Sequence, residues 1–239
     1  MKLFLPLVLI FSSVACSAQV KAIGDAPLIL EKFSFATPIT VLYPAKNKSR
    51  EYTDYYEIRS EDSLLGTNYA ARETIYENEF DPQLKKPVAI EYRQQSSSSG
   101  DRLAVFGKQF FNRINIVTTP AGRIKLVGVA IDISQTESED FIKYLTTNYG
   151  RPKKLKGEFV KAFEIYEWRA KDRTFRYAPI FNDEKNVVKF KIDQTNKTIA
   201  PLEREPHLEG YFYIIGQEYI KSIARTGTGD FGYLNAARD

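Results

Sequence analysis

The sequence contains few residues of the types that usually carry catalysis or bind metals. It has one histidine, His207, and one cysteine, Cys16. These counts exclude a two-histidine metal site and every zinc or iron–sulfur site that needs several cysteines. A serine or threonine nucleophile would have to use His207 or a lysine as its base. We expect no metal and no other cofactor.

His207 is the one side chain that could still anchor a metal site. It lies in the segment REPHLEG, where an extended chain would put Glu205, His207 and Glu209 on one face. Pro206 disfavours a regular strand there, and acidic residues are common around surface histidines. An exposed loop histidine is the preferred interpretation. A partly buried histidine with a satisfied hydrogen bond is the other alternative.

Carboxylates are numerous enough for acid–base catalysis of the kind that cleaves glycosidic bonds. One group lies among many tyrosines, a combination also found in sugar-binding clefts: Glu57, Glu61, Asp62, Glu77 and Glu79. The sequence alone selects no catalytic pair from this group. Solvated strand edges and loops explain these acids more simply, so we name no catalytic residue.

A glycine pattern near the C-terminus imitates a nucleotide-binding motif. Gly227, Gly229 and Gly232 match G-x-G-x-x-G. In dinucleotide-binding folds these glycines follow a strand and open a helix, whereas here a predicted helix precedes them. We reject the motif and expect a flexible tail, with a partner-binding tail that uses Phe231 and Tyr233 as the alternative.

The most suggestive local feature is basic. Between residues 151 and 161 the positive side chains oppose a single acid, Glu158. If the following strands paired in sequence order, other cations would share a solvent face with part of this run. Such a surface would attract an acidic protein, a phosphorylated envelope lipid or an anionic glycan, although lysines also protect sheet edges. The predicted anionic-partner surface consists of Arg151, Lys153, Lys154, Lys156, Arg176, Lys189 and Lys191.

The first residues predict export from the cytoplasm. Lys2 precedes an apolar run over 3–11 that is too short to span a membrane, and small residues follow. Cleavage after residue 15 or after residue 18 fits this leader. The stretch Ser13-Val14-Ala15-Cys16 resembles the lipobox of bacterial lipoproteins, which implies a lipid on Cys16 and membrane attachment through it. Cleavage after residue 18 would instead discard the cysteine.

Downstream of residue 100 the apolar pattern predicts individual elements. The expected strands are 112–118 and 123–133, which form a hairpin, and 160–169, 173–178, 187–193 and 210–215. Gly128 is expected at a bulge. A helix follows the hairpin, with Thr136 and Glu139 as its capping box, and a short helix is expected over 217–224. This order predicts an α+β fold: a predominantly antiparallel β-sheet with one main helix packed on a face and a short C-terminal helix.

Composition shifts divide the chain into five segments. They are a signal peptide over 1–18, a strand-rich N-terminal part over 19–93, a flexible Ser-rich loop or linker over 94–101, an α+β domain over 102–225 and a flexible tail over 226–239. A loop inside one domain and a linker between two small domains both fit the Ser-rich segment. The number of domains stays open at this point.

The overall composition is that of a folded protein, with 43% hydrophobic and 27% charged residues. A net charge of +4 is too mild to indicate nucleic acid. Because the usual catalytic side chains are nearly absent, we expect a non-enzymatic binding protein in the periplasm, at the outer membrane or outside the cell. Its partner would be a protein or an anionic envelope component, in an accessory, inhibitory or immunity-type role. The alternative is a carboxylate-dependent hydrolase that acts on envelope polysaccharide.

Overall fold

The structure is a computed structural model. It describes residues 20–59, 68–77, 86–97, 100–159, 161–182, 189–193, 198–202, 207–222 and 229–236. The expected leader with Cys16 lies outside these residues, as do Glu61, Asp62, Glu79 and Glu205.

The chain is mainly β, with 49% in strands. The strands in chain order are β1 (Leu28–Ile29), β2 (Tyr55–Ile58), β3 (Asn68–Tyr76), β4 (Pro87–Gln94), β5 (Ala104–Phe106), β6 (Gln109–Phe111), β7 (Arg113–Thr118), β8 (Ile124–Ser134), β9 (Lys153–Glu158), β10 (Ala162–Arg169), β11 (Arg173–Asn182), β12 (Lys189–Asp193), β13 (Thr198–Leu202) and β14 (His207–Gly216). In the described parts of the chain there are two α-helices, the short α1 (Ile39–Leu42) and the long α2 (Gln135–Tyr149).

Nine strands form one antiparallel sheet in the order β2–β3–β4–β7–β8–β14–β11–β10–β9. The predicted antiparallel sheet and the predicted β7–β8 hairpin are confirmed. Strands do not pair in sequence order, because β14 lies between β8 and β11 at the centre of the sheet. Two smaller sheets contain β1–β5–β6 and β12–β13.

Each face of the nine-stranded sheet carries an apolar core. On the first face, Phe141 and Leu145 of α2 pack together with the N-terminal segment and phenylalanines of the central strands. The rings of Phe106 and Phe212 are 4.9 Å apart there, edge to face. The core of the second face is smaller and includes Ile165, Ala178, Tyr211, Tyr213, Phe231 and Leu234.

Helix α2 begins two residues earlier than the sequence pattern indicated. Its capping box is formed by Ser134 and Glu137. The Glu137 N–H donates to the Ser134 hydroxyl at 3.3 Å, and the Ser134 N–H donates to the Glu137 carboxylate at 3.0 Å. Thr136 and Glu139 have the same spacing but lie inside the helix. The cap is set by the strand, because β8 ends at Ser134 and passes directly into α2.

Only residues 229–236 of the expected flexible tail are described, and they pack on the sheet; residues 226–228 and 237–239 lie outside the described residues. Residues 229–236, which we call the C-terminal segment, pack on the second face of the sheet, and a 3-10 helix spans Gly229–Tyr233. Phe231 is 1% exposed and Leu234 is 0% exposed. The Tyr233 ring stacks on that of Tyr211 at 4.5 Å. These apolar contacts join residues far apart in the chain, so local composition did not indicate them.

Gly128 was expected at a bulge, but the bulge lies elsewhere. The register of β7 against β8 shifts at Lys125, which is the extra residue. Gly128 lies in regular pairing and leaves space for the C-terminal segment, since a Cβ there would come within 2.7 Å of Phe231 Cε1. The lack of a side chain at Gly128 therefore allows Phe231 to pack closely against β8.

The Ser-rich segment leads from β4 of the nine-stranded sheet to β5 of the three-stranded sheet, and the chain returns to the large sheet at β7. Strand β4 precedes it and β7 follows it, and the two strands pair from Ile90 to Arg93. The buried Asn68 donates through Nδ2 to Asp101 Oδ2 at 2.7 Å, and the Ser96 hydroxyl donates to Asn68 Oδ1 at 2.9 Å. These contacts bind two residues of the Ser-rich segment to Asn68 of β3, while residues 98–99 lie outside the described residues. The domain boundaries stay predictions.

The expected C-terminal helix over 217–224 is described as far as residue 222. A 3-10 helix spans Gln217–Tyr219 and a turn follows to residue 222. Residues 223–224 lie outside the described residues. No helix within the described ranges is long and apolar enough to cross a membrane.

Candidate functional site

Four of the seven predicted surface cations lie along the outer edge of the sheet. We call them the basic strip: Arg151, Lys153, Lys154 and Lys156. Strand β9 is the last strand of the sheet and pairs with β10 on one side, with a single further bridge from Gly157 to Ala236. All four side chains are exposed. Because strand side chains alternate, the three lysines project from both faces of this edge.

Within the basic strip, the only ion pair to another described residue is made by Lys154. Its Nζ lies 3.0 Å from Glu164 Oε2 and 5.2 Å from the centre of the Tyr166 ring. The hydrogen bond between Lys154 and Glu164 raises the pKa of the lysine and lowers the pKa of the carboxyl. The two side chains are 60% and 56% exposed, so water screens the pair and it contributes little stability. The four cations of the strip are thus opposed by one paired carboxylate, that of Glu164.

Arg176, which was expected on the same surface, is used internally. Its side chain is 13% exposed. Nε and Nη2 donate to Glu167 Oε2 at 3.0 and 2.9 Å, and Nη1 donates to the Leu234 carbonyl at 2.8 Å. The guanidinium thus fixes the C-terminal segment to β10 and β11, and the expectation of an exposed Arg176 is corrected.

Lys189 and Lys191 also separate from the basic strip. They lie on β12, which pairs with β13 in a two-stranded sheet of its own. Their expected place depended on sequence-order pairing, which does not occur because β11 pairs with β14. Their side chains lie outside what the structure describes.

A second charged group, which the sequence did not single out, lies on the second face of the sheet. Arg113 forms ion pairs with Glu209 and with Asp230 of the C-terminal segment, the second at 3.8 Å. Asp230 also accepts a hydrogen bond from Asn115 Nδ2 at 3.0 Å. Glu209 accepts one from the Tyr211 hydroxyl at 2.8 Å. We call these five residues the Arg113 cluster.

Burial and charge act against each other in the Arg113 cluster. Burial alone would lower the pKa of Arg113, but the carboxylates of Asp230 and Glu209 raise it overall. Burial raises the pKa of Asp230, and Arg113 offsets only part of that effect. One guanidinium serves two carboxylates, so the cluster carries a net negative charge when both are ionised.

Glu91 of β4 lies close to the Arg113 cluster. The residue is 2% exposed, and Oε1 has no hydrogen-bond partner among the described residues. Burial raises the pKa of Glu91 to about 7, and the nearby carboxylates of Glu73 and Asp230 also raise it. Arg93 lowers it, but Arg93 is already bonded to Glu73 at 2.6 Å. A carboxyl that titrates near neutral pH has the property of a catalytic acid.

The sequence contained only part of the signal for this group. Arg113 and Asn115 alternate with the buried Ile114 and Ile116, which assigns them to the opposite face of β7. Polar residues on one face of a strand usually face solvent, so the pattern alone does not indicate a cluster. Asn115 and its partner Asp230 are 115 positions apart in the chain.

His207 begins strand β14 and does not lie in a loop. Its side chain is 22% exposed, and Nε2 lies 3.3 Å from Asp132 Oδ2. Glu209 is engaged by Arg113, so it is not held for a metal site with His207. Within the part of the chain that the structure describes, no group of three or more His, Cys, Asp or Glu residues could hold a metal ion.

Of the acids that lie among tyrosines, only Glu57 and Glu77 lie within the described residues. Glu57 is bonded to Arg59 at 2.6 Å, as a surface ion pair would be. Nearby, the rings of Tyr52, Tyr55 and Tyr69 lie 5.4 to 6.4 Å apart. These three tyrosines therefore pack against one another.

The fold and these two charged groups define a mainly β protein with the exposed basic strip at one edge of its sheet and the partly buried Arg113 cluster on the second face. Comparison with known proteins adds nothing to that definition, since no family model, curated protein or solved structure matches the chain. Its function has to be argued from the geometry.

Proposed function

We propose that this chain is an exported, non-enzymatic binding protein of the bacterial envelope that holds an anionic partner along the basic strip. The supporting observation is the placement of three exposed lysines on the outer strand β9 of a nine-stranded sheet, with the exposed Arg151 two residues before it. A sheet edge fixes such charges at regular spacing, about 7 Å between alternate residues. That arrangement suits an acidic protein, a phosphorylated lipid or an anionic glycan.

Edge protection by lysines is the simpler use of these charges. Seven of the described arginines outside the strip pair with carboxylates: Arg59, Arg72, Arg93, Arg113, Arg169, Arg173 and Arg176. Arg151, Lys153 and Lys156 form no ion pair with another described residue. Their charge is available to a partner.

The leader pattern supports the remaining parts of the proposal. Export, a lipid on Cys16 and a location in the periplasm, at the outer membrane or outside the cell rest on that pattern alone. We also propose an α+β fold with a short C-terminal helix, which the helical turn at Gln217–Tyr219 supports.

Affinity capture from envelope extracts tests the proposal. The triple variant Lys153→Glu, Lys154→Glu and Lys156→Glu should lose the captured partner, and so should the wild type as salt rises, because the Debye length falls from about 10 Å at 0.1 M to about 3 Å at 1 M. The matched control reverses three exposed cations far from β9 in the chain: Lys46, Lys48 and Arg50. Retention by the strip variant, or loss by the control alone, would refute the proposal.

A carboxylate-dependent hydrolase is the second candidate, and Glu91 is the observation that favours it. A carboxyl with a pKa of about 7 beside the carboxylate of Asp230 resembles the acid and base of a glycosidase in chemistry. The 2% exposure of Glu91 weighs against this candidate, since a polymer could reach the acid only after the surrounding structure rearranged. If the protein cleaves envelope polysaccharide, Glu91→Gln should abolish the cleavage and the strip variant should preserve it.

A further inference from the structure

A cavity at the start of the described chain has no part in the proposed function. Its volume is about 250 Å³. Six of its eight lining residues are apolar: Val20, Ala26, Pro27, Leu28, Ile29 and Phe33. The other two are lysines, Lys21 and Lys32, and none is acidic.

Buried side chains line the inner end of the cavity, and its other end opens to the surface. Leu28 and Phe33 are 6% and 2% exposed. The Leu28 N–H donates to the Leu103 carbonyl at 2.9 Å, and β1 pairs with β5 beside it. Ile29, which also lines the cavity, is 42% exposed, so apolar surface continues to the mouth.

The lysines give this cavity a chemical preference. Both are exposed, and neither forms an ion pair with another described residue. An apolar interior favours a hydrocarbon chain because burial removes that chain from water. Two unpaired ammonium groups beside it favour a carboxylate or phosphate head. The combination is complementary to an anionic amphiphile.

We propose that this cavity binds the hydrocarbon chain of an anionic amphiphile from the membrane surface, with the acidic head held by Lys21 and Lys32. Small-molecule pockets usually enclose about 300–1,000 Å³, so this one holds part of one chain and not a whole lipid.

The membrane is the favoured source because of where the cavity lies in the sequence. Val20 lines the cavity and Cys16 precedes it by four residues, which span at most about 14 Å when extended. A lipid on Cys16 would hold the cavity within that reach of the bilayer. One acyl chain gives only marginal attachment, which a second contact with anionic lipid strengthens. The source of the ligand rests on the predicted lipidation, whereas the site itself does not.

Calorimetric titration with dodecanoate tests the site. The protein is the full chain with Cys16→Ser, which removes the acylation acceptor, purified without detergent. We expect one dodecanoate per chain. Ala26→Trp should weaken binding about tenfold or more, because excluding two methylenes changes affinity by about that factor. The matched control is Ala45→Trp, an exposed position outside the cavity.

The head contacts are tested with the double variant Lys21→Glu and Lys32→Glu. It should lose affinity for dodecanoate but keep its affinity for uncharged dodecyl maltoside, which has the same chain length. Absence of dodecanoate binding overturns the proposal. So does equal binding by wild type and Ala26→Trp, provided that the variant keeps the wild-type melting temperature.

Vesicles distinguish the source of the ligand. We expect the protein to float with phosphatidylglycerol vesicles and not with phosphatidylcholine vesicles, and Ala26→Trp to reduce that flotation. Flotation without dodecanoate binding would show a surface contact and overturn the cavity site. Dodecanoate binding without flotation would overturn the membrane source. The strip variant should leave dodecanoate affinity unchanged, so failure of the proposed function is distinguishable from failure of this site.

Discussion

Glu91 is buried on the second face of the sheet, and the nearby Arg93 forms its ion pair with Glu73. The pKa of Glu91 rises from 4.5 to about 7, chiefly through burial. Between these pH values the folded chain holds a proton that the unfolded chain has lost. The free energy of unfolding therefore falls as pH rises through this window. The shift corresponds to a loss of about 3 kcal/mol once Glu91 is ionised.

Glu91→Gln removes this titration, so we expect the variant to be more stable than the wild type at pH 8 by up to about 3 kcal/mol. At pH 5 the two proteins should differ much less. Urea unfolding at both pH values measures the difference. Glu158→Gln, at an exposed position, is the control and should follow the wild type. Identical pH dependence in wild type and Glu91→Gln would contradict the assignment.

At the scale of the elements, the start of α2 offers a comparison between two candidate caps. The structure assigns the cap to Ser134, whereas the sequence pattern favoured Thr136. Loss of a serine or threonine N-cap costs about 1 kcal/mol. We expect Ser134→Ala to lower the free energy of unfolding by about that amount and Thr136→Ala to leave it nearly unchanged. Urea unfolding of both variants measures the two changes. A larger loss of stability in Thr136→Ala than in Ser134→Ala would favour Thr136 as the N-cap.

The C-terminal segment depends on the missing side chain of Gly128. Because a Cβ there would meet Phe231 at 2.7 Å, Gly128→Ala should loosen the segment and cost about 1–3 kcal/mol. Phe231→Leu shortens the opposing side chain, so the double variant should recover part of that loss relative to the sum of the single changes. Limited proteolysis and thermal unfolding measure both effects. Strict additivity of the two changes would contradict the contact.

Local patterns predicted the elements but not their arrangement. The apolar run in β10 and the helical spacing of Phe141 and Leu145 are properties of neighbouring residues, and these elements are confirmed. The basic strip was predictable for the same reason, since its cations are close in sequence. The central place of β14 and the contact of Asn115 with Asp230 depend on partners far along the chain. No local period contains that information.

At the scale of the whole molecule, the nine-stranded sheet contains strands from both sides of the Ser-rich segment. Strand β4 belongs to the N-terminal part and β7 to the C-terminal part, yet they are neighbours in one sheet. The buried Asn68 of β3 also bonds to Asp101, the last residue of the Ser-rich segment. Because each half supplies hydrogen-bond partners and apolar surface to the other, we expect a single cooperative unfolding transition, with equal calorimetric and van't Hoff enthalpies.

The sole tryptophan allows a sharper test of this cooperativity. Trp168 lies in β10 and is 1% exposed, so its fluorescence reports on the C-terminal half. Ile58→Ala removes a fully buried side chain from β2, in the N-terminal half, and should cost about 2–5 kcal/mol. In one cooperative unit this change lowers the midpoint recorded by Trp168 fluorescence, although the two residues belong to strands at opposite sides of the sheet. An unchanged Trp168 midpoint, together with a separate earlier transition in calorimetry, would instead show two independent domains joined by the Ser-rich segment.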